Sequence, residues 1–122
     1  MSKARRVLLV DDNVDSAESL AQLLSLSGHD ARTAADGPQA LALAADFAPE
    51  FVFCDLGLPG ISGYEVARLL RARPEGQHMI LAALTGYGDT ADREKSLQAG
   101  FDAHLVKPVD PRVIESFLDD FK

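Results

Sequence analysis

The sequence predicts an α/β fold in which five parallel strands form one open sheet, flanked by helices on both faces. Two observations point there. Short apolar runs alternate with longer stretches of helical period, five times over, without internal repeats or linkers. The strongest runs, at residues 7–10, 51–54 and 79–84, are also continuously apolar rather than alternating, as expected of strands covered on both faces. Right-handed crossovers then give a (βα)5 sandwich, and ligands of such sheets bind beyond the carboxyl ends of the strands.

Residues 7–10 (VLLV) form the first strand. Ala17, Leu20, Ala21 and Leu24 fall on one helical stripe, with Gly28 where the chain leaves that helix. Asn13 and Asp15 are read as its capping residues, Asp15 and Glu18 having the capping-box spacing. Residues 30–34 are a weaker strand. Pro38 suits a first helical position and is followed by Ala40, Leu41, Ala44 and Ala45. After the strand at 51–54 (FVFC), Ser62 and Glu65 stand at capping-box spacing before Val66, Ala67 and Leu70. The strand at 79–84 (MILAAL) leads to a stretch, 89–99, that is helical by composition and ends before Gly100. Its apolar face is only Ala91, Leu97 and Ala99, so it is expected to be loosely held. Residues 103–106 (AHLV) are the fifth strand. Asp110 and Pro111 open a last helix with an apolar stripe of Val113, Ile114, Phe117, Leu118 and Phe121.

The 122 residues suit a single domain, 1–122, and a hydrophobic fraction of 47% suffices for a core. A net charge of -7 argues against nucleic acid and anionic membrane as direct partners. Cys54 is the one cysteine, so no internal disulfide forms and a cytoplasmic setting is expected. No secretory signal or membrane-spanning run is evident.

The polar residues at the strand ends are more specific. Asp11 and Asp12 follow the first strand, Asp55 the third, Thr85 the fourth and Lys107 the fifth. Alone, each is a commonplace cap, turn or surface residue. Together they put three carboxylates, a hydroxyl and an ammonium on one edge of the sheet. Two like charges about 4 Å apart cost roughly 4 kcal/mol at an effective dielectric of about 20, so the acids require compensation. Oxygen ligands select Mg2+, Mn2+ or Ca2+ over zinc, and few protein ligands beside phosphate oxygens is the habit of Mg2+. Cation, lysine and hydroxyl around a nucleophilic carboxylate suit phosphoryl transfer through an acyl phosphate.

The segments VLLVDDN, DLGLPGISG, ALTGYG and LVKP, in this order and spacing, resemble the receiver domain of two-component response regulators. The likeness covers essentially the whole chain. It implies a flavodoxin-like sheet in the order 2-1-3-4-5 and a signalling domain rather than an enzyme, with intrinsic self-phosphorylation and dephosphorylation. Asp55 would accept a phosphoryl group from a phosphohistidine of a sensor histidine kinase or a histidine phosphotransfer protein. Asp12, Asp55 and the carbonyl of Gly57 would bind Mg2+ directly, and Asp11 through water. Lys107 would pair with Asp55 and then with the phosphoryl group, Thr85 would swing in to it, and Gly86 would leave room for it. Pro108 matches a family proline often preceded by a cis bond.

Departures from the family pattern are Leu58 for a usual methionine, Gly57 and Tyr87 at variable positions near the site, and His104 where many members have Tyr or Phe as a switch residue. His104 could move with Thr85 or be an ordinary strand residue; His29 and His78 are read as surface residues. The implied output face is the 89–99 helix with the last strand and helix. The wording DLGLPG…AGFDAHLVKPVDP is most like receivers fused to hybrid sensor histidine kinases. A stand-alone regulator, a pseudo-receiver and a phosphatase of the haloacid dehalogenase type are the alternatives. The last would want D-x-D after the first strand.

Overall fold

The computed structural model describes residues 4–86 and 93–120. Its strands are β1 (Arg6–Val10), β2 (Asp30–Ala34), β3 (Phe51–Asp55), β4 (Ile80–Thr85) and β5 (Ala103–Val106). Its helices are α1 (Val14–Leu26), α2 (Gly37–Phe47), α3 (Gly63–Arg71), α4 (Arg93–Ala99) and α5 (Pro111–Asp120), with a 3-10 turn at Pro74–Gly76. The strands pair in parallel in the order β2-β1-β3-β4-β5, with Val10 level with Cys54 and Asp55 level with Leu84. The expected architecture and strand order are therefore observed.

Successive residues of a strand face opposite ways, and the core divides accordingly. Leu8, Val10, Val52, Cys54, Leu81 and Ala83 face Ala40, Ala44, Val66 and Leu70 of α2 and α3. Val7, Leu9, Phe51, Phe53, Ala82 and Leu84 face Ala21 and Leu24 of α1 and Ile114 and Leu118 of α5. Phe117 meets Phe51 and Phe53 edge-on at 6.0 and 5.6 Å, a favoured aromatic arrangement. Central β3 is buried throughout, while edge strands β2 and β5 are partly exposed.

Caps set where the helices begin. The side chains of Asn13, Asp36 and Ser62 accept hydrogen bonds from the N–H groups of Ser16, Gln39 and Glu65. Asn13, not Asp15, therefore caps α1, and Asp15 lies in its first turn. Gly28 leaves α1 at φ 95, which a side chain would resist. In α2, Ala45 is exposed and Phe47 takes the buried place.

Three further expectations change. His29 is buried, not a surface residue: its Nδ1 accepts from Arg5 N–H at 3.0 Å and its Nε2 lies 3.5 Å from Glu115. The turn after α1, closed by the His29 N–H donating to the Leu24 carbonyl at 3.1 Å, turns it inward. His78 is exposed as expected. The expected helix at 89–99 is described only from Arg93, and there Ser96 and Ala99 are buried while Leu97 is 71% exposed. Val113 is likewise exposed at 47%, whereas Ile114 and Leu118 are buried. Tyr87, Ala91 and Phe121 lie outside the described residues. Among the described residues, no helix is long and apolar enough to cross a membrane.

Candidate functional site

Parallel pairing brings the carboxyl ends of β1, β3, β4 and β5 to one edge, and most of the expected site residues meet there. Lys107 Nζ donates to Asp11 Oδ2 at 3.1 Å and to Asp55 Oδ2 at 2.9 Å. The side chains of Asp11 and Asp55 are 9% and 12% exposed, and that of Lys107 29%. Only Asp55 was expected as the lysine's partner; the bond to Asp11 is new. Nothing in the sequence singles out Asp11 for it, because adjacent acids after a strand differ only in which way they turn.

Backbone donors hold the two buried acids. Asp11 Oδ1 accepts from Asn13 N–H at 3.0 Å, and Asp55 Oδ1 from Gly57 N–H at 2.9 Å. Leu56 N–H continues the β3–β4 ladder to the carbonyl of Leu84, and Lys107 N–H bonds the Thr85 carbonyl at 2.7 Å. Thr85 is buried at the end of β4, one residue past the position level with Asp55. Gly86 follows it. The Lys107–Pro108 peptide is cis, in line with what the resemblance implies for Pro108.

Asp12 differs from its neighbours in being exposed. Asp11, Asp12 and Asp55 each offer an oxygen within 4.8 Å of the other two. With metal–oxygen bonds of about 2.0–2.1 Å, roughly twice that length separates opposite ligands of one Mg2+ ion. An all-oxygen donor set of about this spread fits that ion. Asp12 also makes no ion pair among the described residues, so its charge is the one that Lys107 leaves over.

The surrounding charges act on nearby groups. Burial alone would pull the Lys107 ammonium down, but its hydrogen bonds to Asp55 and Asp11 outweigh that and hold it above the ordinary lysine value. Burial, reinforced by the charges of Asp55 and Asp11, pushes the Cys54 thiol far above the ordinary range. His104 lies next to the site strand at the β4–β5 pairing, level with Ala83. Its Nε2 sits 2.9 Å from the Oγ of buried Ser96, and burial followed by the Arg93 charge lowers its pKa.

An open groove of about 630 Å³ runs from Asp11 and Lys107 between α1 and the start of α5. Leu9, Leu20, Leu23, Leu84, Val109 and Pro111 give it a mainly apolar lining.

Comparison with known proteins agrees with this geometry. The family model "response regulator receiver domain" matches residues 7–119. The DNA-binding response regulator MtrA of Mycolicibacterium paratuberculosis is 38% identical over 108 residues, 88% of this chain and 47% of that protein. Response regulator PleD of Caulobacter vibrioides is 34% identical over 105 residues, 86% of this chain and 23% of that protein. The chain thus spans less than half the length of these relatives. Among solved structures, the receiver domain of sensor histidine kinase PA1611 from Pseudomonas aeruginosa PAO1 is 30% identical, with a TM-score of 0.85 and 98% of both chains covered. It carries a magnesium ion coordinated in its active site cleft. Chemotaxis protein CheY4 of Vibrio cholerae, 25% identical, has a TM-score of 0.90 and covers 98% of this chain and 100% of its own. A match running from the first strand into the last helix, on this fold and with an acidic cluster suited to Mg2+, settles the family: the chain belongs to the response regulator receiver domains of two-component signalling.

Proposed function

We propose that the chain is a single receiver unit, 1–122, in which Asp55 is the phosphoacceptor and the strand-end residues around it carry the transfer. The observation that supports this most is Lys107 bridging Asp55 and Asp11 while Asp12 completes an oxygen triad. An Asp55 carboxylate oxygen attacks the phosphorus of a phosphoimidazole on a histidine kinase or phosphotransfer protein. The new O–P bond forms as the P–N bond breaks, and the released imidazole takes up a proton. Asp12, Asp55 and the Gly57 carbonyl would hold Mg2+ directly, and Asp11 would do so through water. When bound, the ion supplies positive charge against the transferring oxygens.

Lys107 is already within hydrogen-bond reach of Asp55, so it can pass a donor to a phosphoryl oxygen with little movement. That exchange loosens its hold on Asp11. Thr85 supplies its hydroxyl from the end of β4 once it turns towards the phosphoryl group, and Gly86 keeps the approach open. His104 follows Thr85, and the change passes to α4, β5 and α5 as a shift between two states. Self-phosphorylation from small donors and slow hydrolysis use the same groups. Gly57, exposed and without a side chain, leaves the hydrolytic water unobstructed. The groove beside α1 would receive the donor protein.

On motif style the parent is taken as a hybrid sensor histidine kinase, with the stand-alone regulator as the alternative. The MtrA relatives are named as DNA-binding. This chain's net charge of -7 does not suit a nucleic-acid surface, so any such role would fall to residues beyond these 122.

The test is mass spectrometry with Mg2+ and acetyl phosphate. The wild type is expected to gain one phosphoryl group and Asp55→Asn to gain none. Equal modification of both would remove Asp55 from the role.

A further inference from the structure

Asp55 is the last residue of β3 and Gly57 lies on the loop that follows, whose far end is Gly63, the first residue of α3. Gly63 is buried, and its N–H donates to the carbonyl of Leu56 at 3.1 Å. A Cβ built on Gly63 would run into the Asp55 carbonyl oxygen, would stand 2.8 Å from Leu56 Cα, and would stand 3.1 Å from the Asp55 carbonyl carbon. Its φ is not in the left-handed region, so the glycine is required for space and not for conformation. All three atoms are backbone, so no rotamer change can relieve the collision.

We infer that Gly63 is a positioning residue for phosphoryl transfer: by bringing the start of α3 into backbone contact with Asp55 and Leu56, it sets where the Asp55 carboxylate and the Gly57 carbonyl stand relative to Asp11, Asp12 and Lys107. This rests on the reading of Asp55 as acceptor. The Asp55 side chain is linked to Gly57 N–H at 2.9 Å and to Lys107 at 2.9 Å, so a shift of its backbone disturbs both bonds together. Misplacement of reacting groups by about 1 Å can cost about a hundredfold in rate.

Gly76 provides the control. A Cβ there would also strike backbone, the Leu70 carbonyl, but on the turn before β4, at the opposite edge of the sheet. Gly63→Ala and Gly76→Ala are both expected to lose stability in urea. Only Gly63→Ala is expected to weaken Mg2+ binding, measured by calorimetry on the unphosphorylated protein, by about tenfold or more. It should also slow phosphorylation by acetyl phosphate at saturating Mg2+ by a similar factor. Wild-type Mg2+ affinity and rate in folded Gly63→Ala, or equal losses in both variants, would overturn the inference.

Should Gly63→Ala not fold, Ser62→Ala removes only the cap from the turn that carries Gly63. It is expected to weaken Mg2+ binding about two- to threefold, and unchanged affinity overturns the inference. A wild type that takes no phosphoryl group at Asp55 would instead refute the underlying reading, and the Mg2+ affinities would still decide the role of Gly63.

Discussion

At the scale of single residues, Lys107 decides how the acids tolerate one another. It serves Asp11 and Asp55, which leaves Asp12 exposed and without an ion pair among the described residues. Asp12→Ala is therefore expected to raise stability in EDTA by up to about 1 kcal/mol, well below the uncompensated Coulomb cost, because solvent screens an exposed carboxylate. It should also abolish the stabilisation that Mg2+ gives the wild type. Urea titrations with and without Mg2+ check both, and a less stable apo variant would count against carboxylate crowding. The pH dependence of Lys107 follows from the direction of its shift. Its folded pKa is raised, so its contribution is fully present below about 10.4 and is lost as pH rises through the higher folded value. Lys107→Met should be less stable than wild type at neutral pH, with the gap closing in alkali. His104 has the opposite shift. Its neutral form is favoured in the fold, so it costs stability as pH falls through about 6.5. The stability of wild type relative to His104→Gln should therefore decline between pH 7.5 and 5.5, measured by thermal unfolding.

At the scale of elements, the α3 end and the α4–β5 turn are joined by one side chain. Arg71 donates to the carbonyls of Gly76, Met79 and Gly100 and to Asp102, whose carboxylate also accepts from Leu81 N–H. Arg71→Met is expected to cost about 2–4 kcal/mol, since several carbonyls lose a charged donor together. Urea unfolding measures the cost; Mg2+ affinity should stay at the wild-type value, because these contacts lie at the edge away from the acids. This fan has no trace in the sequence, as Gly100 and Asp102 lie 29 and 31 residues away and the nearer partners, Gly76 and Met79, accept through carbonyls that every residue carries. Most elements were legible because continuous apolar runs and cap residues are local signals: β2 and β5 match their expected bounds, and α3 begins at its Ser62 cap. The exposure of Leu97 and burial of Ser96 were not, since so short a helix has too little apolar area for composition to say which face turns inward.

At the scale of the whole molecule, alternation predicted the layers, but the order of strands was available only through resemblance, because period says nothing about which strand neighbours which. The site was legible for a simpler reason. In a parallel sheet every strand ends at the same edge, so the residue type after each apolar run reports directly on one place. What remained hidden were the pairings made there, such as Lys107 with Asp11. The folded state alone assembles the acid triad, so Mg2+ at about a hundred times its Kd should stabilise the protein by about 2.7 kcal/mol, read as a rise in the unfolding midpoint. Cys54 offers an independent view of the same linkage. It is the only sulfhydryl, 1% exposed on the central strand and directly before Asp55, and its surroundings suppress ionisation. An aromatic disulfide reagent can reach it only when that strand leaves the sheet, so its labelling rate counts opening events, and the count should fall when magnesium is added. The chain thus contains its own stopwatch for how often the phosphoryl pocket comes apart, with no foreign probe engineered in.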